Sequence, residues 1–263
     1  MDIKQLFIDY LNNNGWNYDE ISAFKNFKRF FWQINWLKTL YYNFKWVKFS
    51  DAIKLPIIIG YNVRIRQTGK ITFKNKPIPA QISIGVERIN GWEDSSQRTF
   101  FTNLGELCLH GRVKCHPGAK LVIQPKAVLE LGNRVGFGAN TKVICAKSIT
   151  IGNNVRFSWE CQIFDTDFHF LKKVSTGKVY KRIKPVIIGN NVFIGNRCSI
   201  SKGTIIPDGS TISCCSKAEG DYSGEGEFLL IKGNPGSVVT KGFIFGSSWL
   251  PEEEKEIASQ LEG

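Results

Sequence analysis

Five isoleucines spaced six residues apart dominate one stretch of the sequence. They are Ile188, Ile194, Ile200, Ile206 and Ile212 within IGNNVFIGNRCSISKGTIIPDGSTI. A helix repeats its apolar face every three or four residues and a strand every second residue, so neither explains a period of six. A short strand and a tight turn, repeated three times, make one triangular coil of about eighteen residues, and such coils stack into a parallel β-helix. The spacing therefore predicts an all-β solenoid.

The residues four places after each isoleucine fit the same geometry. In a triangular coil the first residue of each six-residue unit points inward, and the fifth points inward near a corner, where a small side chain fits best. These fifth positions are Val192, Cys198, Thr204 and Ser210. We expect Gly189, Gly195 and Gly209 to supply turn conformations that residues with a Cβ resist.

The same pattern extends upstream of this stretch. Further inward positions in phase are Leu131, Phe137, Val143, Ile151, Phe157 and Ile163, with related units beginning at Ile57, Leu121, Leu129 and Ile149. The alternative is a β-sandwich with coincidental spacing, and five units in unbroken phase argue against it.

Charge and cysteine content narrow the functional classes. A formal charge of +12 indicates an anionic partner, such as a phosphate-bearing cofactor, an acidic glycan or lipid headgroups. Since no nucleic-acid-binding motif accompanies the charge, nucleic acid is not the expected partner. Seven cysteines without metal-type spacing favour a reducing cytosol. The start, MDIKQLFIDYLNNNG, lacks the features of a secretory signal, so we expect a cytoplasmic protein.

The stretch VIIGNNVFIGNRCSISKGTIIPDGSTI resembles the hexapeptide-repeat acyltransferases, whose left-handed parallel β-helices carry acetyl-CoA-dependent enzymes. The resemblance covers residues 105–240 well and 55–104 loosely. It is nearest to the bacterial surface-polysaccharide O-acetyltransferases, in which a D-x-D-x-H stretch precedes the final coils. It implies a left-handed solenoid, a homotrimer, acetyl-CoA as co-substrate and a sugar or glycan acceptor. The left hand comes from the resemblance alone, because crossover connections are generally right-handed.

The repeat is interrupted between Ile163 and Val186 by FDTDFHFLKKVSTGKVYKRIKP. Function in a solenoid is usually concentrated in such an insertion. His169 lies there, and the resemblance implies that it is the general base, a task for which the ordinary pKa of imidazole is suited. Asp165 or Asp167 would orient the ring or bind acceptor hydroxyls. The alternative is a solvated polar loop with an incidental histidine.

The two other histidines argue against a metal enzyme on the same scaffold. His110 and His116 are six residues apart, which places them on different faces of one coil. The carbonic anhydrases built on this β-helix need three converging imidazoles around zinc. We therefore expect no metal site. Stacked Thr-x-Thr rows, which ice-binding β-helices need, are absent from the sequence.

The resemblance also places acetyl-CoA in a groove between neighbouring subunits. NVFIGN matches the family's NVWIG turn, ISCCSKA lies in the place of IGAGSVV, and IKGNPGSVV matches the closing segment. The cofactor-binding residues that this implies are Phe193, Gly195, Asn196, Ser213, Cys214, Gly233, Asn234 and Pro235. Ser237 stands where a phosphate-binding basic residue is common, so the phosphate contacts are assigned to Lys217, Lys232 or Lys241, each of which is otherwise an ordinary solvated lysine. We interpret Cys161, Cys198 and the Cys214–Cys215 pair as small inward or cleft-facing residues.

The chain divides into three predicted segments: an aromatic and basic helical segment over 1–54, the β-helix over 55–245 with an inserted loop at 164–185, and a short helix over 246–263. Between Phe24 and Phe49 there are eleven aromatic residues, six Lys or Arg and no acidic residue. Such a segment suits an anionic membrane interface at residues 24–49. It also suits a cap over the open end of the solenoid.

These features predict an acetyl-CoA-dependent O-acetyltransferase that acts on a sugar hydroxyl of a cell-surface polysaccharide or its precursor. N-acetyl transfer to an amino sugar nucleotide is an alternative, because the same base and groove would serve an amine. A non-catalytic β-helix for assembly or membrane docking is a second alternative. The membrane interface would place the protein at the inner face of the membrane.

Overall fold

In the computed structural model, residues 31–86 and 97–243 are described. The predicted helices before residue 31 and over 246–263 lie outside the described residues. Three sheets of nine, seven and six strands surround one apolar interior. From β1 to β14 the chain visits the nine-, seven- and six-stranded sheets in turn, so each circuit is one coil of a prism.

The element bounds follow the three sides of this prism. The nine-stranded sheet contains β1 (Ile57–Ile59), β4 (Ile82–Ile84), β7 (Val113–Cys115), β10 (Val135–Phe137), β13 (Arg156–Phe157), β18 (Phe193–Ile194), β21 (Thr211–Ile212), β23 (Leu229–Lys232) and β24 (Ser237–Lys241). The seven-stranded sheet contains β2 (Val63–Gln67), β5 (Thr99–Asn103), β8 (Lys120–Ile123), β11 (Lys142–Cys145), β14 (Gln162–Phe164), β19 (Ser199–Ile200) and β22 (Lys217–Ala218). The six-stranded sheet contains β3 (Lys70–Phe73), β6 (Glu106–Leu109), β9 (Val128–Leu131), β12 (Ser148–Ile151), β17 (Val186–Ile188) and β20 (Ile205–Ile206). Outside the sheets are α1 (Trp36–Trp46), α2 (Phe49–Ala52), a hairpin of β15 (Leu171–Lys172) and β16 (Val179–Tyr180), and a 3-10 turn at Ser223–Glu225.

The isoleucine period is the stacking period of the interior. Ile188 lies in register with Ile206 on β20, and Ile194 with Ile212 on β21, in parallel pairs. All five isoleucines of the repeat are buried. The four small fifth-position residues are buried as well. The predicted parallel β-helix is therefore confirmed.

The glycines of the repeat have two different roles, and only one of them was expected. Gly209 has a left-handed φ of 68°, as predicted. Gly189 and Gly195 do not, and the left-handed residue near Gly195 is Arg197, with φ 57°. A Cβ added at Gly195 would lie 2.7 Å from the backbone nitrogen of Cys214 in the next coil. Gly189 and Gly195 are therefore needed because coils stack closely, not because of their φ.

Helix α1 covers the open edge of the nine-stranded sheet. The side-chain amide of Asn43 donates to the carbonyl oxygen of Ile57 (2.6 Å) and accepts from its N–H (3.0 Å). The hydroxyl of Thr39 accepts from the N–H of Ile59 (3.1 Å), and both polar side chains are fully buried. These contacts satisfy strand groups that an open edge would leave unpaired. The capping interpretation of the N-terminal segment therefore has a specific structural basis in α1.

Candidate functional site

The insertion at residues 165–185 is an antiparallel hairpin that leaves the solenoid where the seven- and six-stranded sheets meet, here called the seven–six edge. Thr166 bridges to Ile183 at its base, and β15 pairs with β16 further out. Gly177, with φ 67°, lies in its turn. The hairpin therefore interrupts the coil between β14 and β17 without disturbing their stacking on neighbouring coils.

Asp165 is the buried anchor of this hairpin. Its carboxylate is fully buried and accepts hydrogen bonds from the backbone N–H groups of Ala146 (2.7 Å), Lys147 (2.7 Å) and Ser148 (2.8 Å). The side chain thus closes the turn between β11 and β12 in the preceding coil. This corrects the expectation that Asp165 orients His169 or binds acceptor hydroxyls, because both of its oxygens serve the backbone and neither reaches solvent.

Asp167 ties the hairpin to the following coil. Its carboxylate forms an ion pair with Lys202, a side chain that is only 16% exposed. The Lys202 ammonium also donates to the carbonyl oxygen of Lys181 (2.6 Å), and the Asp167 N–H donates to that of Arg182 (2.9 Å). Lys202 was not foreseen from the sequence, since nothing local marks a lysine in a solenoid turn as a partner for a carboxylate 35 residues away.

His169 lies on the exposed part of the hairpin. The preceding residue, Phe168, has a left-handed φ of 65°, and its N–H donates to the hydroxyl of Thr166 (3.0 Å). The Phe168 ring meets Phe164 edge-on, with centroids 6.0 Å apart. Across residues 31–86 and 97–243, no hydrogen bond or ion pair involves the His169 ring. These contacts hold the backbone beside His169, and the imidazole itself is exposed.

The residues matched to the cofactor site lie along the corner where the nine- and seven-stranded sheets meet, here called the nine–seven edge. The N–H of Cys215 donates to the carbonyl oxygen of Asn196 (2.9 Å), and the N–H of Lys217 donates to that of Gly233 (2.9 Å). These bonds stack three turns, residues 195–198, 213–216 and 232–236, directly over one another. The structure therefore brings together Gly195, Asn196, Ser213, Cys214, Gly233, Asn234 and Pro235 on one edge. Phe193 precedes this edge on β18, in register with Thr211.

The three candidate phosphate-binding lysines differ in their surroundings. Lys217 forms an ion pair with Glu219. Lys241 pairs with Glu225 (3.2 Å) and donates to its carbonyl oxygen (2.5 Å). Lys232 is exposed, and no carboxylate of the described chain pairs with it. Of the three candidates, Lys232 is therefore the one whose positive charge is not paired with a carboxylate of the described chain.

Two cysteines near this edge are structural. The Cys161 thiol donates to the carbonyl oxygen of Gly195 (3.0 Å), and the Cys198 thiol donates to that of Ser213 (2.9 Å). Burial raises the pKa of Cys161 to about 12 and that of Cys198 to about 11. Both thiols are protonated at neutral pH and are poor nucleophiles. Cys214 and Cys215, by contrast, are exposed.

The remaining histidines lie apart from each other and from His169. His110 contacts Glu130 (2.7 Å) on the outer surface of the six-stranded side. His116 follows β7 in the nearly buried turn at the nine–seven edge. Within residues 31–86 and 97–243, no three His, Cys, Asp or Glu side chains come together in a way that could hold a metal ion.

Comparisons with known proteins bear on the fold. No family model matches the sequence. A Klebsiella pneumoniae protein named "Uncharacterized 24.8 kDa protein in cps region" is 28% identical over 140 residues, which are 52% of this chain. The match spans 61% of the length of that relative. Among solved structures, the polySia specific acetyltransferase NeuO has a TM-score of 0.50 at 17% identity, covering 78% of this chain and 88% of that one.

A mutant of the N-acyltransferase AntD from Bacillus cereus, solved with dTDP and coenzyme A, has a TM-score of 0.44 at 14% identity, covering 78% of this chain and 89% of that chain.

The likeness to NeuO is a likeness of fold, and it agrees with the triangular winding of three parallel sheets. The resemblance stated from the sequence is thus confirmed for the architecture. The chain has the left-handed parallel β-helix fold of the hexapeptide-repeat acyltransferases.

Proposed function

We propose that this protein is an acyltransferase that moves an acetyl group from acetyl-CoA to a sugar hydroxyl of a cell-surface polysaccharide or its precursor. One observation carries the proposal: the hairpin that interrupts the solenoid has a hydrogen-bonded backbone beside His169, and it presents the His169 imidazole on its exposed part. The acetyltransferase NeuO, which shares the fold, and the relative from a cps region both support an acceptor of the polysaccharide class.

The chemistry needs one base and one bound thioester. His169 accepts the proton of the acceptor hydroxyl as that oxygen attacks the thioester carbonyl. The resulting tetrahedral intermediate collapses and expels the thiolate of coenzyme A, which takes the proton back from the imidazolium. The acetyl group moves directly between the two substrates, so no acyl-enzyme forms. The high thiol pKa values of Cys161 and Cys198 agree with this, because neither is a nucleophile at neutral pH.

The family resemblance implies a homotrimer, and the position of the two parts favours a site that lies between its subunits. The hairpin leaves the prism at the seven–six edge, whereas the turns matched to the cofactor stack along the nine–seven edge. Within one prism, the width of the seven-stranded sheet separates the two edges, roughly 10 Å along β14. A neighbouring subunit packed side by side would bring the His169 of one protomer against the nine–seven edge of the next, and the groove between them would hold acetyl-CoA.

Coenzyme A binding tests the enzymatic proposal directly. The wild-type protein is expected to bind coenzyme A in a calorimetric titration, and Lys232→Glu should weaken that binding about tenfold, because one charge-assisted phosphate contact becomes repulsive. Lys241→Glu serves as the matched control, since Lys241 is already paired with Glu225 and its reversal should matter less.

Two outcomes, one from this titration and one from a transfer assay, would count against the proposal. No binding at millimolar coenzyme A would favour a non-catalytic module. Acetyl transfer only to an amino sugar nucleotide, in a panel of nucleotide sugars and oligosaccharides, would favour N-acetylation.

The outer face of the N-terminal cap carries large exposed apolar side chains, the most exposed being Leu37 (83%) and Phe49 (73%). The others are Trp32, Leu40, Tyr41, Phe44 and Ile53. None of the described helices is both long enough and apolar enough to span a bilayer. Apolar patches of this kind mark interaction sites, and the neighbouring basic residues, with no acidic residue from Phe24 to Phe49, complement an anionic surface. We propose that this cap face rests on the anionic inner face of the cytoplasmic membrane.

Vesicle binding checks this location. The protein should co-sediment with phosphatidylcholine vesicles that contain phosphatidylglycerol, and much less with pure phosphatidylcholine. Leu37→Glu combined with Phe44→Glu should reduce the partition coefficient at least about tenfold, because two apolar anchors become anionic. Val174→Glu, at an exposed site on the hairpin, is the control. Partitioning that the double variant leaves unchanged, or a change in oligomer mass alone, would contradict membrane docking.

A further inference from the structure

The strand register creates a basic column on the outer face of the seven-stranded sheet. Lys120 lies in register with Phe100 on one side and with Lys142 on the other, and Lys142 lies in register with Gln162. Neighbouring strands are about 4.8 Å apart, so the two lysines stand directly one above the other. Both are exposed on the outer face.

This pairing is electrostatically unfavourable in the protein alone. Like charges directly opposite each other in a sheet are destabilising. Lys120 has the Phe100 ring 5.7 Å from its ammonium, but among the described residues no carboxylate pairs with either lysine. The acidic residue that lines the groove, Glu160, accepts a hydrogen bond from Arg197 (2.6 Å). An anion between the two ammonium groups would turn their repulsion into attraction on both sides.

The two lysines line a groove rather than a flat surface. The groove has a volume of about 360 Å³, and the amide side chains of Gln97, Asn140 and Gln162 line it together with Lys120 and Lys142. Amides both donate and accept hydrogen bonds, as sugar hydroxyls do. The combination of two cations with several amides fits an anionic sugar better than a simple inorganic ion.

The groove is connected to the hairpin by a single short strand. β14 begins at Gln162, which lines the groove, and the chain reaches Asp165 at the base of the hairpin three residues later. At about 3.3 Å per residue this is a distance of roughly 10 Å. A glycan seated in the groove would therefore extend along the same face that leads to the hairpin.

We infer that this groove binds the acceptor and that the acceptor is an anionic glycan, held through its carboxylate or phosphodiester groups by Lys120 and Lys142. This inference rests on the proposed function, and it adds the substrate class and the residues that recognise it. The two lysines bind the anionic groups of the glycan, and the amides of Gln97, Asn140 and Gln162 form hydrogen bonds with its neighbouring hydroxyls.

Direct binding tests the inference without requiring catalysis. Three probes of similar length are compared by calorimetry: a galacturonic acid hexamer, a ribitol phosphate oligomer and neutral maltohexaose. At least one anionic probe should bind, with an affinity that falls as salt rises, and maltohexaose should not. Lys120→Gln combined with Lys142→Gln should weaken the binding of that anionic probe roughly 10- to 100-fold and leave coenzyme A binding unchanged.

A control variant with the same net charge as the groove variant distinguishes binding at the groove from attraction by the overall positive charge of the protein. Lys76→Gln combined with Lys126→Gln removes two exposed lysines outside the groove and should leave probe binding within about twofold of wild type. A preference for the galacturonic acid or for the phosphate probe identifies the anion. Failure of both anionic probes at millimolar concentration, equal binding of the neutral probe, or an unaffected groove variant would overturn the inference. If coenzyme A binding fails while the groove binds glycan, the proposed enzyme function fails and the glycan site stands.

Discussion

His169→Ala should lower the turnover number for acetyl transfer by about 10²- to 10⁴-fold, the usual contribution of a general base. Coenzyme A binding and molecular mass in solution should not change, because the ring has no partner within the described part of the chain. The acetylated product is best measured by chromatography with mass detection. This is preferable to detecting the released coenzyme A with a thiol reagent, because such a reagent would also react with the exposed Cys214 and Cys215.

The matched control for this variant is His110→Ala. His110 is also exposed, but its ring is bound to Glu130 on the six-stranded side. The control variant should keep a turnover number close to that of wild type. If His169→Ala retained wild-type turnover, the assignment of the base would be wrong, whatever the result of the cofactor titration.

Asp165→Ala should lower the free energy of unfolding by about 3–5 kcal/mol, because it leaves three backbone N–H groups in a buried turn without their charged acceptor. The loss is measured from urea unfolding followed by circular dichroism, with the midpoint and slope fitted separately. The hairpin should become susceptible to proteolysis in the same variant, since Asp165 joins its base to the solenoid.

Asp167→Asn provides the comparison for Asp165. Its ion pair with Lys202 is partly solvated, so its removal should cost no more than about 1 kcal/mol. If Asp165→Ala were as stable as wild type and had lost only activity, the result would support a catalytic role for Asp165 and contradict its structural assignment. The two variants therefore distinguish the buried anchor, Asp165, from the partly solvated ion pair of Asp167 in the same short motif.

The interior of the protein could be predicted closely from the sequence. A residue that points inward once every six positions produces a period that no helix or flat sheet shares, so Ile188 through Ile212 revealed the solenoid directly. The small residues at Val192 and Cys198 followed from the narrow space near a corner. The roles of Gly189 and Gly195 were misread, because a close approach between coils and a left-handed φ both favour glycine.

The polar residues of DTDFH could not be sorted in the same way. Asp165 and Asp167 have the same chemistry and lie two residues apart. Their roles differ because the turn at 145–148 presents three N–H groups to the first, and Lys202 in the following coil meets the second. Neither partner is adjacent in the chain, so no local pattern distinguishes the two carboxylates.

The sequence by itself determined the solenoid, its inward residues and the place where the repeat breaks, because these depend on a period that a single chain displays. Only the tertiary structure decided which carboxylate is buried, that Asn43 and Thr39 close the sheet edge, and that Lys120 stands over Lys142. Those outcomes depend on register between strands of different coils. Register is set by the packing of the whole interior and not by any one of the segments that it aligns.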